Sequence, residues 1–270
     1  MRYHRLPLEG KLSPKVTDEV SPPQAEAESK PHSAAEREIG MAETAQMHII
    51  ARIRSDFPTK FAIPRQSGLV DELRAAVVFE PEFRNPDALR GIEDFSHLWL
   101  VWQFSQCMDK AWSPTVRPPR LGGNKRVGVF ATRSPFRPNP VGLSCVKLVG
   151  VEQTAQLGPV LHVAGADLMD GTPIYDIKPY LPYADCRPEA TGGFAPAPDD
   201  TLEVEFPPHL LERVPEELRK AALGVLAQDP RPSYQNDPER VYGFRFGPVE
   251  IGFTVAEGKV TVCRCERVSK

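Results

Sequence analysis

The sequence predicts a mainly β protein in which a β-rich main domain precedes a small α+β domain. Short apolar segments separated by Gly, Pro, Asn and Asp recur about every 8–15 residues between Met47 and Phe206, which is typical of an antiparallel sandwich or barrel. The first convincing amphipathic helix comes only after these segments. The length of 270 residues suits one large domain, or a large domain with a small one.

Residues 1–45 are predicted to form a disordered extension. They hold five prolines, six basic residues and eight acidic residues, and their apolar side chains follow no period of 2 or 3.6. Because such a segment buries too little apolar surface to offset its ordering entropy, we expect no packed structure there.

The main domain is predicted to span residues 46–190. Its first strand is indicated by Met47, Ile49, Ala51 and Ile53, which lie at alternate positions, as on the buried face of a strand. Residues 96–104 are so apolar throughout that we expect both faces of this strand to be covered. The predicted strands up to Phe206 are 47–55, 73–80, 96–104, 127–131, 143–152, 159–168 and 202–206.

A linker at 191–200, rich in Pro, Ala and Asp, is predicted to lead into a C-terminal domain at 201–270. Pro215 and the two glutamates after it mark the start of a helix. The helix carries one apolar stripe at helical spacing, formed by Leu218, Ala221, Ala222, Val225 and Leu226.

Three further strands are predicted after this helix, at 241–246, 249–255 and 259–268. In the last, strict alternation puts Val260 and Val262 on one face and places Cys263 and Cys265 together on the other.

Composition excludes several classes of protein. The formal net charge is only −3, and no run approaches the roughly 18–20 apolar residues of a membrane span. The first residues do not form a secretory signal, and the five cysteines include no CxxC pair, so we expect a soluble cytoplasmic protein without a zinc ribbon. The Rossmann GxGxxG, P-loop, GxSxG and HExxH motifs are absent.

The charge within the chain is strongly segregated. Residues 110–151 contain eight basic and no acidic side chains, interleaved with prolines and glycines that fix the loops. Arginines on rigid loops suit phosphate geometry, so this stretch predicts a surface for RNA or for a phosphorylated or carboxylated ligand. Its basic residues are Lys110, Arg117, Arg120, Lys125, Arg126, Arg133, Arg137 and Lys147.

A second cluster, acidic in character, contains Asp167, Asp170 and Asp176. Asp170-Gly171 marks a tight turn, so these residues either form the turn or present a carboxylate to a cationic or hydroxyl-bearing ligand. The spacing is not that of an EF-hand and no histidine is close in sequence, so we expect no metal site.

Six motifs, in the same order, resemble those of the TsaA-like (TrmO-type) tRNA methyltransferases. The resemblance implies an S-adenosylmethionine-dependent enzyme that methylates N-threonylcarbamoyladenosine at position 37 of tRNA, in the anticodon stem-loop. It also implies an antiparallel β-barrel catalytic domain and a homodimer. The motifs are PRQ (64–66), RGIEDFSHLW (90–99), RPPRLGG (117–123), GVFATRSPFRPNPVGLS (128–144), DLMDGTPIYDIKPYLP (167–182) and LAQDPRPSY (226–234).

The resemblance also suggests site residues. Arg65 or Arg133 is expected to hold the cofactor carboxylate. Asp167 or Asp170 is expected to accept from the ribose hydroxyls of the cofactor or to offset its positive charge. Ser105 stands where relatives often have histidine. We therefore expect cofactor contacts there from Gln106 and from the backbone, and not from the side chain at 105. The implied cofactor residues are Pro64, Arg65, Gln66, Ser105, Gln106, Arg133, Asp167, Leu168, Met169 and Asp170.

Because the ureido-conjugated nitrogen is a poor nucleophile, we expect a proton acceptor, Asp170 first and Asp176 second. The expected tRNA contacts are Arg117, Arg120, Lys125, Arg126 and Arg137. The segment with Arg231 and Tyr234 either adds a stacking surface of the C-terminal domain or is a structural linker. Two alternatives stay open: a non-catalytic RNA-binding barrel, and a methyltransferase of this fold with a different acceptor.

Overall fold

A computed structural model describes residues 43–232, 235 and 237–268, and the chain from Gln46 onward forms one compact unit. The predicted extension at 1–45 therefore lies almost entirely outside the described residues. The strands are β1 (Ala51–Arg54), β2 (Arg74–Phe79), β3 (His97–Gln103), β4 (Thr115–Val116), β5 (Val127–Gly128), β6 (Val141–Thr154), β7 (Gly158–Ala164), β8 (Pro173–Pro179), β9 (Glu203–Glu205), β10 (Tyr242–Phe246), β11 (Val249–Ala256) and β12 (Lys259–Arg267). The α-helices are α1 (Pro182–Asp185), α2 (Pro208–Leu211) and α3 (Glu216–Ala227).

Six strands of the main domain are hydrogen-bonded as a closed barrel in the order β1-β2-β7-β6-β3-β8, with β8 paired back to β1. Every pair is antiparallel, and alternate side chains such as Leu98, Leu100 and Val146 fill the interior. The mainly β prediction is confirmed. Strand β8 was not predicted from the sequence, because prolines bound it and the polar Asp176 and Lys178 interrupt its apolar pattern.

The outer face of β3 differs from the prediction. Leu98, Leu100 and Trp102 point inward and are buried, but Trp99 and Val101 on the other face are only partly covered. The prediction that both faces of this strand are covered is therefore wrong for the single chain, since its outer face belongs to the surface of the barrel.

The C-terminal part contains a four-stranded sheet in the order β10-β11-β12-β9, with α3 packed on one face. A bulge opposite Gly252 and Phe253 leaves Cys263 without a register partner. Cys265 consequently joins Val260 and Val262 in the core, which corrects the predicted alternation. Among the described residues, no helix combines the length and apolar character needed to cross a membrane.

The connection between β1 and β2 belongs to the core of the C-terminal sheet. Phe57, Val70 and Leu73 are buried there, and the ring of Phe57 lies 5.3 Å from that of Phe246. The backbone N–H of Gly247 also donates to the Asp56 carbonyl at 2.8 Å. The segment 56–73, which was predicted to lie within the main domain, is thus packed between the barrel and the C-terminal sheet.

We predict that Phe57→Ala lowers the free energy of unfolding by about 3–5 kcal/mol, because it opens a cavity in a fully buried site. Urea denaturation would measure the loss. Phe130→Ala is the matched control, since that ring is 73% exposed and its removal should change stability by less than about 0.5 kcal/mol. Equal effects of the two substitutions would contradict the packing described above.

Candidate active site

A cavity of about 750 Å³ opens at the end of the barrel where β3 ends and β6 begins. Its lining includes the inward-facing Trp102 and Gly142 together with Asp167, which follows β7. The loops at 60–66, 103–110 and 132–139 surround it. A cavity of this volume is in the range that encloses a cofactor-sized molecule.

All the predicted cofactor residues except Asp170 line this cavity. Widely separated sequence motifs are thus brought together, because three connections of the barrel meet at the same end. The nine lining residues are Pro64, Arg65, Gln66, Ser105, Gln106, Arg133, Asp167, Leu168 and Met169. The side chain of Leu168 is 1% exposed and belongs mainly to the barrel core.

Asp170 and Asp176 are not among the residues that line the cavity. Asp170 Oδ1 accepts from the backbone N–H of Ser55 at 3.1 Å, and Oδ2 lies 3.8 Å from Arg54 Nη1. Asp176 pairs with Lys178 Nζ at 2.9 Å on the outer surface of β8. The geometry therefore gives no support to the prediction that either carboxylate is the proton acceptor.

Asp167 is held by two hydrogen bonds in series, the first buried and the second partly buried. The indole Nε1 of Trp102 donates to Ser144 Oγ at 2.9 Å, and that hydroxyl donates to Asp167 Oδ1 at 2.6 Å. Because an indole N–H can only donate, the single hydroxyl proton of Ser144 must point to the carboxylate. A Cβ at Gly142 would overlap the indole ring, so this glycine allows Trp102 its position.

Burial raises the pKa of the Asp167 carboxyl above its ordinary value. The hydrogen bond from Ser144 is the largest of the effects that lower this pKa, and the positive charge of Arg133 acts in the same direction. These two side chains therefore favour the ionised carboxylate at a site where burial alone would favour the neutral acid.

The loop at 64–66 is held from both sides. Arg133 Nη1 donates to Gln66 Oε1, and Gln66 Nε2 donates to the Arg65 carbonyl at 2.6 Å. Two residues further on, the N–H of Gly68 donates to the Gly165 carbonyl at 2.9 Å. Gly165 has φ = +73° and a Cβ there would lie 3.3 Å from Gly68, so only glycine suits this close approach of the loop to the segment that carries Asp167.

The charges of the lining are unequal. Asp167 is the single carboxylate among the lining residues, and it is accompanied by five cationic side chains. Such a lining favours anionic groups on a ligand, and its one carboxylate can accept from a cationic or hydroxyl group. The cations are Lys60, Arg65, Lys110, Arg133 and Arg137.

Comparison with known proteins assigns the chain to a family. A model described as the tRNA-methyltransferase O N-terminal domain matches residues 52–186, and one described as the TrmO C-terminal domain matches residues 199–268. The chain belongs to the tRNA-methyltransferase O family. The family resemblance inferred from the six motifs is therefore confirmed.

Individual members of the tRNA-methyltransferase O family agree with this assignment. An Escherichia coli K12 protein named tRNA (adenine(37)-N6)-methyltransferase is 47% identical over 201 residues, which cover 72% of this chain and 85% of that protein. An Eikenella corrodens protein of the same name is 46% identical over 169 residues, covering 62% and 95%. The crystal structure of TrmO from Pseudomonas aeruginosa superposes with a TM-score of 0.69 at 34% identity, covering 83% of this chain and 99% of that one.

In this member of the family, the predicted tRNA residues that the structure describes fall into three groups. Arg117, Lys125 and Arg126 are exposed on the basic loops, and Arg137 lines the cavity. Two others are engaged by carboxylates: Arg120 Nη2 lies 3.0 Å from Asp199, and Arg231 forms two hydrogen bonds with Asp229. Tyr234 lies outside the described residues.

Sequence reasoning missed Trp102, Ser144, Lys60 and Phe136 as residues of the site. A signal for Ser144 was available, because alternation in β6 directs Gly142 and Ser144 into the barrel, where large apolar residues are the rule. A glycine and a serine at successive inward-facing positions of a strand indicate a cavity and not a filled core.

We predict that Ser144→Ala raises the pKa of Asp167 further, because the hydrogen bond that favours its ionised form is lost. The unpaired Trp102 N–H should also lower the free energy of unfolding by about 1–3 kcal/mol. Carboxyl ¹³C NMR titration measures the pKa. Ser105→Ala is the control, because Ser105 lines the same cavity but forms no hydrogen bond with Asp167, and it should leave the pKa of Asp167 unchanged. An unchanged pKa in Ser144→Ala would contradict the described hydrogen bond from Ser144 to Asp167.

Proposed function

We propose that this chain transfers a methyl group from S-adenosylmethionine to the exocyclic nitrogen of N-threonylcarbamoyladenosine at position 37 of tRNA. The observation that carries the proposal is a cofactor-sized cavity, with one carboxylate among five cations, in a chain of the tRNA-methyltransferase O family. A Pseudomonas aeruginosa relative, 43% identical over 210 residues, is provisionally named an S-adenosylmethionine-dependent methyltransferase.

The lining fits the chemical groups of S-adenosylmethionine. Arg65 and Arg133 border the cavity and suit its carboxylate. Asp167, with Oδ1 occupied by Ser144, suits its ammonium group or ribose hydroxyls. The amides of Gln66 and Gln106 offer both donors and acceptors for polar edges such as that of adenine.

S-adenosylmethionine supplies an electrophilic methyl group when it is bound. The task of the chain is then to align the acceptor nitrogen with that group at about 3–3.5 Å, and the rigid Trp102–Ser144–Asp167 series serves this by fixing one end of the ligand. The loop at 64–66, held by Arg133 on one side, fixes another part of it.

The acceptor nitrogen is adjacent to a carbonyl, so it reacts better after its proton leaves. The cationic lining favours an anionic ureido group, because positive charges nearby lower the pKa of an acid. Lys60, Lys110 and Arg137 can therefore assist transfer electrostatically, with the released proton passing to solvent water. Asp170 and Asp176 stay a sequence-based prediction for the base.

The exposed cations of the basic loops extend this positive field outside the cavity. Arg117 and Lys125 form no ion pair within the part of the chain that the structure describes, so both are available for phosphates of an anticodon stem-loop. Position 37 lies in a single-stranded loop, from which a base enters a pocket at low energetic cost.

We further propose a cytoplasmic homodimer, as the family resemblance implies. The half-covered outer face of the barrel supports the dimer, since Trp99 and Val101 lie beside Leu143, which is 51% exposed. An apolar sheet face of this kind is suited to burial against a second copy.

We predict that Asp167→Asn weakens S-adenosylmethionine binding by about 1.5–3 kcal/mol, because a charge-assisted contact is lost. Binding to the wild type should also weaken as the pH falls through the Asp167 pKa, since protonation removes the same negative charge. Isothermal titration measures both. Asp170→Asn is the informative comparison: the geometry predicts near-wild-type affinity, and a loss there instead would favour the sequence-based assignment.

The methyl acceptor is tested with labelled S-adenosylmethionine and two tRNA preparations, with and without the threonylcarbamoyl group at adenosine 37. We expect transfer only to the modified tRNA. Equal transfer to the unmodified tRNA would make adenine itself the acceptor. Tight tRNA binding without transfer to either would favour a non-catalytic RNA-binding barrel, whereas transfer to neither tRNA but to another molecule would indicate a different acceptor.

A further inference from the structure

Three large aromatic side chains on the basic loops are exposed to solvent. Phe130 is 73% exposed, Trp112 51% and Phe136 40%. Single exposed apolar residues are common, but a group of three on neighbouring loops usually marks an interaction surface. We call Trp112, Phe130 and Phe136 the aromatic rim.

The hydrogen bonds of the loops bring the three segments of the aromatic rim together. The N–H of Ser113 donates to the Phe136 carbonyl at 3.1 Å, and the N–H of Val129 donates to the Pro114 carbonyl at 3.0 Å. Residues 113–114 therefore lie between the segments that carry Phe136 and Phe130. Phe136 also lines the cavity, so the aromatic rim reaches the cavity at this residue.

The loops are fixed although their aromatic side chains are exposed. Val129, next to Phe130, is 1% exposed and anchors its segment, while β4 pairs with β5 on the same loops. The N–H of Phe136 donates to Ser134 Oγ at 3.3 Å. A preformed surface of this kind loses little conformational entropy when a partner binds.

The charges around the aromatic rim favour a nucleic acid over a second copy of this chain. Lys110 Nζ lies 5.7 Å from the centroid of the Phe136 ring. Arg126 Nη1 donates a hydrogen bond to Thr115 Oγ1 on the same loops. No acidic residue occurs between positions 110 and 151. In a two-fold dimer formed through this surface, the two basic loops would face each other and repel.

We propose that the aromatic rim is a stacking surface for unpaired bases of an RNA loop, next to the base that enters the cavity. Phe136 is placed to contact the entering base or its immediate neighbour, while Trp112 and Phe130 receive the bases beyond it. Aromatic faces hold bases and the interleaved cations hold phosphates, as in other single-strand-binding proteins. The inference deepens the proposed function, on which the choice of RNA rests.

The test uses the full chain and an RNA hairpin with an anticodon-type loop that contains 2-aminopurine, titrated by fluorescence at several salt concentrations. Phe130→Ala and Phe136→Ala should each weaken binding roughly 5- to 150-fold, the range for loss of one stacked base. The slope of affinity against salt should not change, because no charge is removed. Arg117→Ala should instead reduce that slope by about 0.7–0.9.

Two further variants make the test specific. Phe130→Leu keeps apolar area but has no aromatic face, so it should lose nearly as much affinity as Phe130→Ala. Leu157→Ala removes a 39% exposed apolar side chain from the turn between β6 and β7, and it should bind like the wild type. Sedimentation of each variant shows whether assembly has changed.

Wild-type affinity in both phenylalanine-to-alanine variants would overturn the inference. The inference would also be overturned if Phe130→Leu bound RNA with wild-type affinity while Phe130→Ala lost a dimer seen for the wild type. The surface would then be a contact between two copies of the chain. The proposed function is tested separately, by methyl transfer with the wild-type protein. If the wild type transfers methyl groups but the variants bind RNA normally, only the stacking surface is rejected. If the variants lose RNA affinity as expected but the wild type transfers no methyl group, only the enzymatic function is rejected.

Discussion

The packing of the segment 56–73 into the C-terminal core is the constraint on which the cavity depends. Phe57, Val70 and Leu73 fix this segment at both ends, and the loop at 64–66 lies between those anchors. The loop is therefore positioned by the C-terminal sheet as much as by the barrel, and Asp199 adds an ion pair to Arg65 at 2.7 Å. A barrel alone would close its strands but would leave one wall of the cavity without support.

The second constraint is electrostatic and concerns the part of the cavity wall that carries Asp167. Burial raises the pKa of the Asp167 carboxyl, and the hydrogen bond from Ser144 and the nearby charge of Arg133 act against this rise. Arg133 in turn donates to Gln66, so the cation that favours the ionised Asp167 also holds the loop at 64–66. The charge state of the cavity and the shape of its wall are thus set by the same side chain.

Periodicity predicted most strands correctly, because Arg74–Phe79, His97–Gln103 and Val141–Thr154 carry regular apolar patterns. It failed at β8, whose bounding prolines and outward Asp176 and Lys178 hide the strand, and at Cys263, where a bulge in the partner register reverses the alternation. Nine of the ten cofactor residues predicted from the motifs line the cavity. The motifs could not separate Asp167 from Asp170, since the direction of each carboxylate depends on long-range partners, Ser144 and Ser55, that no local pattern reveals.

The cavity wall and the basic loops are connected through one acidic residue. The basic loops contain no carboxylate of their own, and Asp199 from the start of the C-terminal domain reaches both Arg65 and Arg120, at 2.7 and 3.0 Å. One carboxylate between two arginines lowers their mutual repulsion and ties the loop at 64–66 to the loop at 117–123. The C-terminal domain thus contributes to the site through position and charge, although the cavity itself is formed by the barrel.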